Sequence, residues 1–205
     1  MITTLILLSA AICLLVIFLP KLTSVAVGSQ TFGGQTFYFL ATEKFDDRTK
    51  ALLGAQSAVD RGGAGYIYND GSYHIVAAVY DKESDAKALT AVNENSYYFS
   101  LTVHKTDMTE SETKLIAFIT GEWFTAVSAA ASELSRGNIT ESQAECAVLS
   151  VCLKAISLAE NVSPMLSNAV TAACDYSCPL SISVLAYIRY VQVDTVVSVV
   201  RALSV

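Results

Sequence analysis

Residues 63–80, GAGYIYNDGSYHIVAAVY, admit few structures. Two aromatic and β-branched runs, Tyr66 to Tyr68 and Tyr73 to Tyr80, flank Asn69-Asp70-Gly71-Ser72, which is the composition of a tight turn between antiparallel strands. The same chemistry continues on both sides. TFYFLATEKF (36–45) reads as a strand, and DDRTKALLGAQSAVDRGG after it reads as a helix. Asp46 or Asp47 can cap that helix, Leu52, Leu53, Gln56 and Val59 recur at helical spacing, and Gly62-Gly63 stops it. Beyond the hairpin, Asp81 caps a second helix with Ala86, Leu89 and Val92 along one face, and SYYFSLTVHK closes the set as a fourth strand.

The order β-α-β-β-α-β predicts an α+β fold, a ferredoxin-like split unit in which one antiparallel sheet carries both helices on one face. The other face is then free. Rings stand at both alternating parities, Tyr73 against His74 and Tyr97 against Tyr98, so either register sends some of them to that face. A contiguous exposed apolar surface of this kind marks an interaction site.

The first residues set the compartment. From Thr3 to Pro20 the chain has no charge, and Lys21 follows, which is near the shortest length that spans a bilayer. Residues 1–22 are read as a transmembrane signal-anchor in a single-pass protein with its body outside the cytoplasm, although Ser24-Val25-Ala26 would also serve as a cleavage site. Residues 23–35 form a linker, 36–106 the sheet domain and 109–205 an α-helical domain. Of 205 residues, 53% are apolar, enough to bury a core, and a net charge of −6 leaves no basic field for nucleic acid.

The helical half has its own start signals. Thr109 with Glu112 is a capping box, followed by Leu115, Phe118, Ile119, Trp123, Val127, Ala130, Ala131 and Leu134 at three-four spacing. Thr140 with Gln143 starts a second helix, with Val148, Val151, Cys152, Ala155 and Ala159 as its stripe, and Ser163-Pro164 starts a third. Arg189, Asp194 and Arg201 interrupt the last apolar segment, which argues for a buried bundle helix over a membrane span, and its VQVDTVVSVV half is valine-rich enough for a strand. Four of five cysteines lie after position 145, in Cys146-x5-Cys152 and Cys174-x3-Cys178, spacings that match no zinc pattern. Small buried hydrophobes, an extracytoplasmic disulfide and, last, a metal site all stay open.

Between Phe37 and about His104 the chain resembles the SPOR (sporulation-related) domain family. The resemblance is carried by the element order, by YFLATEKF with its terminal aromatic Phe45, and by GGAGYIY followed by YHIVAAVYDKESDAKAL. It implies binding of peptidoglycan glycan strands on the free sheet face, in sporulation or cell division. Many members carry a Gln-Val-Gly-like triplet in the strand, where this chain has Ala41-Thr42-Glu43 and Val76-Ala77-Ala78. Aligning Tyr73 with the family's leading strand aromatic places His74, Val76 and Ala78 on the free face, together with Phe39, Ala41 and Glu43 of the first strand. The glycan contacts expected are Phe39, Glu43, Tyr68, Asn69, His74, Val76 and Tyr98, with Asp70 at the rim, since a sugar chain needs rings for its C–H faces and a few hydrogen-bonding groups for orientation.

No catalytic constellation accompanies them. Gly62-Gly63-x-Gly65 precedes a strand and not a helix N-terminus, so it does not cradle phosphate, and no Ser or Cys stands in a nucleophile elbow. Nothing brings Glu43 and Glu122 together as a glycosidase pair. The sequence therefore predicts a non-enzymatic protein without cofactor or metal, its helical domain adding a structural or protein-partner contact. The rivals are a module docking a protein of a division or sporulation assembly through the same face, and a ferredoxin-like small-molecule sensor.

Overall fold

A computed structural model of the chain describes residues 34–93, 95–103, 108–175 and 182–204. The expected signal-anchor, nearly all of the linker, His104, Cys13 and Cys178 lie outside the described residues. The fold is α+β, a four-stranded antiparallel sheet with six helices among the described residues. Strands β1 (Gln35–Phe45), β2 (Tyr66–Asn69), β3 (Tyr73–Tyr80) and β4 (Tyr97–Val103) pair in the order β2-β3-β1-β4. Helix α1 (Arg48–Asp60) connects β1 to β2, and α2 (Glu83–Thr90) connects β3 to β4. Then follow α3 (Glu110–Ser135), α4 (Glu141–Leu158), α5 (Pro164–Cys174) and α6 (Val184–Leu203).

Local chemistry explains the boundaries. Asp47 caps α1 by accepting from the Lys50 amide at 2.9 Å, and Gly62, at φ +79°, ends it in a conformation that side-chain-bearing residues avoid. Both capping boxes form, Thr109 with Glu112 and Thr140 with Gln143, and Pro164 occupies the first turn of α5. Asp81 does not cap α2; Lys82 holds the cap position without a side-chain hydrogen bond. The valine-rich VQVDTVVSVV is helical throughout, because Val191, Val193, Val196, Val197 and Val199 are all buried and packing outweighs their strand preference.

In α1 the inward face differs from the expected stripe. Ala51, Gly54, Ala55 and Ala58 are buried, while Leu52 and Leu53 are 52% and 71% exposed. The sheet supplies the bulk here, through Phe45, Ile67, Ile75 and Tyr73. A Cβ at Gly54 would lie 2.7 Å from Phe45 Cε2 and 3.3 Å from a Glu43 carboxylate oxygen, so only the smallest residues fit the gap.

Two register shifts between β1 and β3 decide which side chains share a face. Leu40 pairs with Ala78, Ala41 with Val76, and Glu43 with Ile75, leaving Thr42 and Ala77 unopposed. Each unopposed residue is a bulge that reverses the alternation beyond it. Phe37, Phe39 and Ala41 therefore share a face with Val76, whereas Glu43 joins Phe45 on the α1 side and Ala78 joins Leu40 there. The outward placements expected for Glu43 and Ala78 are corrected accordingly.

The remaining sheet face is not free. Phe37, Phe39, Val76 and Val103 lie in one buried cluster with Leu115, Trp123, Phe124 and Val127 of α3, Val148 of α4 and Ile188 and Val193 of α6. The Phe37 and Phe124 rings are 4.8 Å apart between centroids. The sheet is thus the middle layer, with α1 and α2 on one face and the C-terminal helices on the other. A chain boundary near residues 106–109 separates sheet from helices in sequence, yet the two share a core. A short π-helical turn, Ile119–Trp123, lets α3 bury both of those residues.

Gly54→Ala is expected to cost about 1–3 kcal/mol by overpacking against Phe45, whereas Gly121→Ala, whose Cβ meets nothing within 4 Å, is neutral or mildly stabilising in urea denaturation. Phe124→Ala is expected to lose about 3–5 kcal/mol and to shift sheet and helix unfolding together, in one transition seen by both near- and far-ultraviolet circular dichroism; separate transitions would contradict the shared core.

Candidate functional site

The seven residues expected to contact glycan do not converge. Phe39 and Val76 have no exposed surface, and His74 is 6% exposed, because the C-terminal helices fill the face they occupy. Glu43 points to the α1 side, 3.8 Å from Arg61, and Tyr98 lies on that same side, its hydroxyl donating to Glu83 of α2 at 2.7 Å. Only Tyr68, half-buried, and Asn69, exposed, remain together at the hairpin edge. There the Asn69 side-chain oxygen accepts from the Gly71 amide at 2.9 Å, so it builds the turn first.

His74 instead anchors a polar chain. Its Nε2 lies 2.8 Å from Asp70 Oδ1 and its Nδ1 2.7 Å from the Tyr97 hydroxyl. An ionised carboxylate only accepts, so Nε2 carries a proton; in the neutral ring Nδ1 then accepts from the tyrosine O–H. Tyr68, Tyr97 and Phe99 enclose the imidazole, with ring centroids 5.3–6.1 Å away. The hydrogen bond from His74 holds the Asp70 carboxyl below its usual range, while burial, aided by the Asp70 charge, raises the Tyr97 hydroxyl. Every polar atom of the imidazole is satisfied, and the chain fastens the hairpin loop to β4 across β1. It is a structural lock.

A second group of side chains lies along the edge strand β2, where α6 runs beside it. Arg189 donates to the Gly62 carbonyl at 2.6 Å, and the Arg201 guanidinium sits 5.6 Å from the centre of the Tyr68 ring. Between them, the Asp194 carboxyl lies near the Tyr66 hydroxyl and Ser198. Burial is the main cause that raises the Asp194 carboxyl and pushes Tyr66 up to about 12. Tyr190 packs 5.5 Å from Tyr66 and lies parallel to Tyr187, with 2° between planes and 6.5 Å between centroids. Tyr190 is 40% exposed. An open depression lined by Met165, Ala169, Ser198, Arg201 and Ala202 adjoins Arg201.

Sequence reasoning missed this rim because α6 is more than a hundred residues from β2. The available signal was the set Arg189, Asp194 and Arg201 in an otherwise apolar helix, which marked a polar edge without naming what it meets. No protein-family model matches the chain, and neither a curated protein nor a solved structure is significantly similar to it.

The two carboxylates predict opposite pH responses. Asp70 has a lowered folded-state pKa, so its contribution is present above the ordinary value of 3.8 and is lost as pH falls below it. Asp194 has a raised one, so its ionisation opposes folding, and the contribution is complete below 3.8 and declines as pH rises. In urea titrations from pH 3 to pH 7, the deficit of Asp70→Asn is expected to grow with pH, whereas Asp194→Asn gains on wild type; parallel trends would refute the assignment.

Proposed function

We propose that this is a non-enzymatic, membrane-anchored cell-envelope protein that binds peptidoglycan glycan strands through the aromatic rim between β2 and α6. The SPOR-like, ferredoxin-like split sheet serves as its scaffold. The element order β-α-β-β-α-β and the strand order support the scaffold part. The uncharged run from Thr3 to Pro20 supports the anchor, with the body extracytoplasmic.

The observation that carries the binding part is the pair of parallel rings, Tyr187 and Tyr190, with the Asp194 carboxylate near Tyr190 and the Arg201 guanidinium further along the same rim, over Tyr68. Flat rings suit the C–H faces of sugars, and a carboxylate and a guanidinium at the same edge suit their hydroxyls and amides. A shallow surface is sufficient for a long chain ligand. Relocating the site to this rim also accords with Ala41-Thr42-Glu43 and Val76-Ala77-Ala78 standing where many SPOR-type strands carry glutamine and glycine. Helices occupy the face those residues would otherwise serve.

The test is co-sedimentation of the detergent-solubilised full-length protein with purified peptidoglycan sacculi. Tyr190→Ala is expected to weaken binding by roughly tenfold, about 1.4 kcal/mol, a magnitude suited to one aromatic contact. Absence of enrichment on sacculi, or binding indifferent to Tyr190→Ala, defeats the proposal. Capture that survives glycan digestion would indicate a protein ligand and favour the docking-module alternative.

A further inference from the structure

The far end of the rim carries a cation whose hydrogen-bonding edges are unused. The Arg201 guanidinium lies over the Tyr68 ring, 5.6 Å from its centre, a contact that leaves the N–H edges of the planar group open. Among the described residues no acceptor or carboxylate pairs with those edges. Beside them lies the open depression between α5 and α6, about 270 Å³ in volume, lined by Met165, Ala169, Ser198, Arg201 and Ala202. Three apolar side chains, one hydroxyl and one positive charge make up that lining, with no carboxylate among them. The combination suits a small group that joins a negative charge to a short alkyl branch. A body of net charge −6 has no general attraction for anions, so the positive charge here acts locally.

Spacing along α6 ties this depression to the rings. Tyr187, Tyr190, Asp194, Ser198 and Arg201 recur at intervals of three and four and therefore share one face of the helix. Tyr190 and Arg201 are separated by about 16 Å of helix. An extended peptide of about five residues covers that distance.

We propose that the depression is a subsite for the alanyl carboxylate that ends the peptide branches of peptidoglycan. This rests on the reading that the glycan lies at the Tyr187 and Tyr190 end of the rim. From there a branch running along α6 delivers its terminal carboxylate to Arg201 and its methyl group to Met165, Ala169 and Ala202. Ser198 supplies a hydroxyl for the peptide backbone on the way. The paired tyrosines then read sugar and Arg201 reads peptide, so the ligand class is a peptide-bearing strand and not a bare glycan.

The test follows the methionine methyl groups of the full-length, detergent-solubilised chain by NMR, with Met1 and Met108 as internal references and Met165→Leu to assign the third signal. Titration with acetyl-D-alanyl-D-alanine is expected to shift the Met165 methyl saturably, and the C-terminal amide of the same dipeptide to bind more weakly. Arg201→Gln is expected to weaken binding of the acid by about fivefold, the scale of one solvent-exposed charge-assisted pair, and to leave the amide unaffected. No saturable shift, or equal affinity for acid and amide, overturns the subsite. A second arm compares intact sacculi with sacculi stripped of peptide by an amidase. There Arg201→Gln is expected to weaken co-sedimentation with the intact form only, and equal weakening on both overturns the assignment to peptide. Because the dipeptide carries no sugar, the subsite and the glycan proposal fail separately. Saturable dipeptide binding without sedimentation on either sacculus supports the subsite and defeats the glycan proposal, whereas Tyr190-dependent sedimentation without a dipeptide shift does the reverse.

Discussion

Burial of the ring-bearing face of the sheet under the C-terminal helices is the constraint on which the rest of the molecule depends. Phe37, Phe39 and Val76 have no surface left, and Phe124 and Trp123 of α3 complete the cluster from the other side. A four-stranded sheet with helices on one face would leave those rings in water. Covering them turns a ligand-sized surface into a core, at a gain of roughly 25 cal/mol for each Å² of apolar area removed from water. A ligand cannot then reach that face of the sheet.

The consequence is visible in where charge resides. Within the α6 contact, Arg189, Asp194 and Arg201 fall along the edge strand β2, while Val191, Val193, Val196 and Val197 point into the core. Polar groups at such a seam stay satisfied because they reach backbone, phenol or solvent, and a charge deeper in the layer would lack those partners. The rim is therefore both the seal of the interface and the place where rings remain partly accessible.

The opposite face obeys a different rule. There the sheet contributes the large side chains and α1 contributes Ala51, Gly54, Ala55 and Ala58. Close approach of helix to sheet requires small residues on one partner, and Phe45 sets that distance through its contact with Gly54. Hydrophobic spacing alone suggests Leu52 and Leu53 as the inward residues, and it fails here because the largest apolar side chain is not the one that fits.

Local chemistry by itself determined a good part of this protein. The Asn-Asp-Gly turn, both capping boxes, Pro164, the glycines after α1 and the apolar stripe of α3 were legible because each depends on residues within a few positions of one another. Strand and helix order followed from them. Tertiary structure alone decided what covers the sheet, where the Thr42 and Ala77 bulges turn Glu43 and Ala78 to the other face, and that His74 is locked between Asp70 and Tyr97. Those outcomes join segments from 23 to more than a hundred residues apart in places. Periodicity records which side of an element is apolar, but not which other element arrives there, and that choice belongs to the packing of the whole chain.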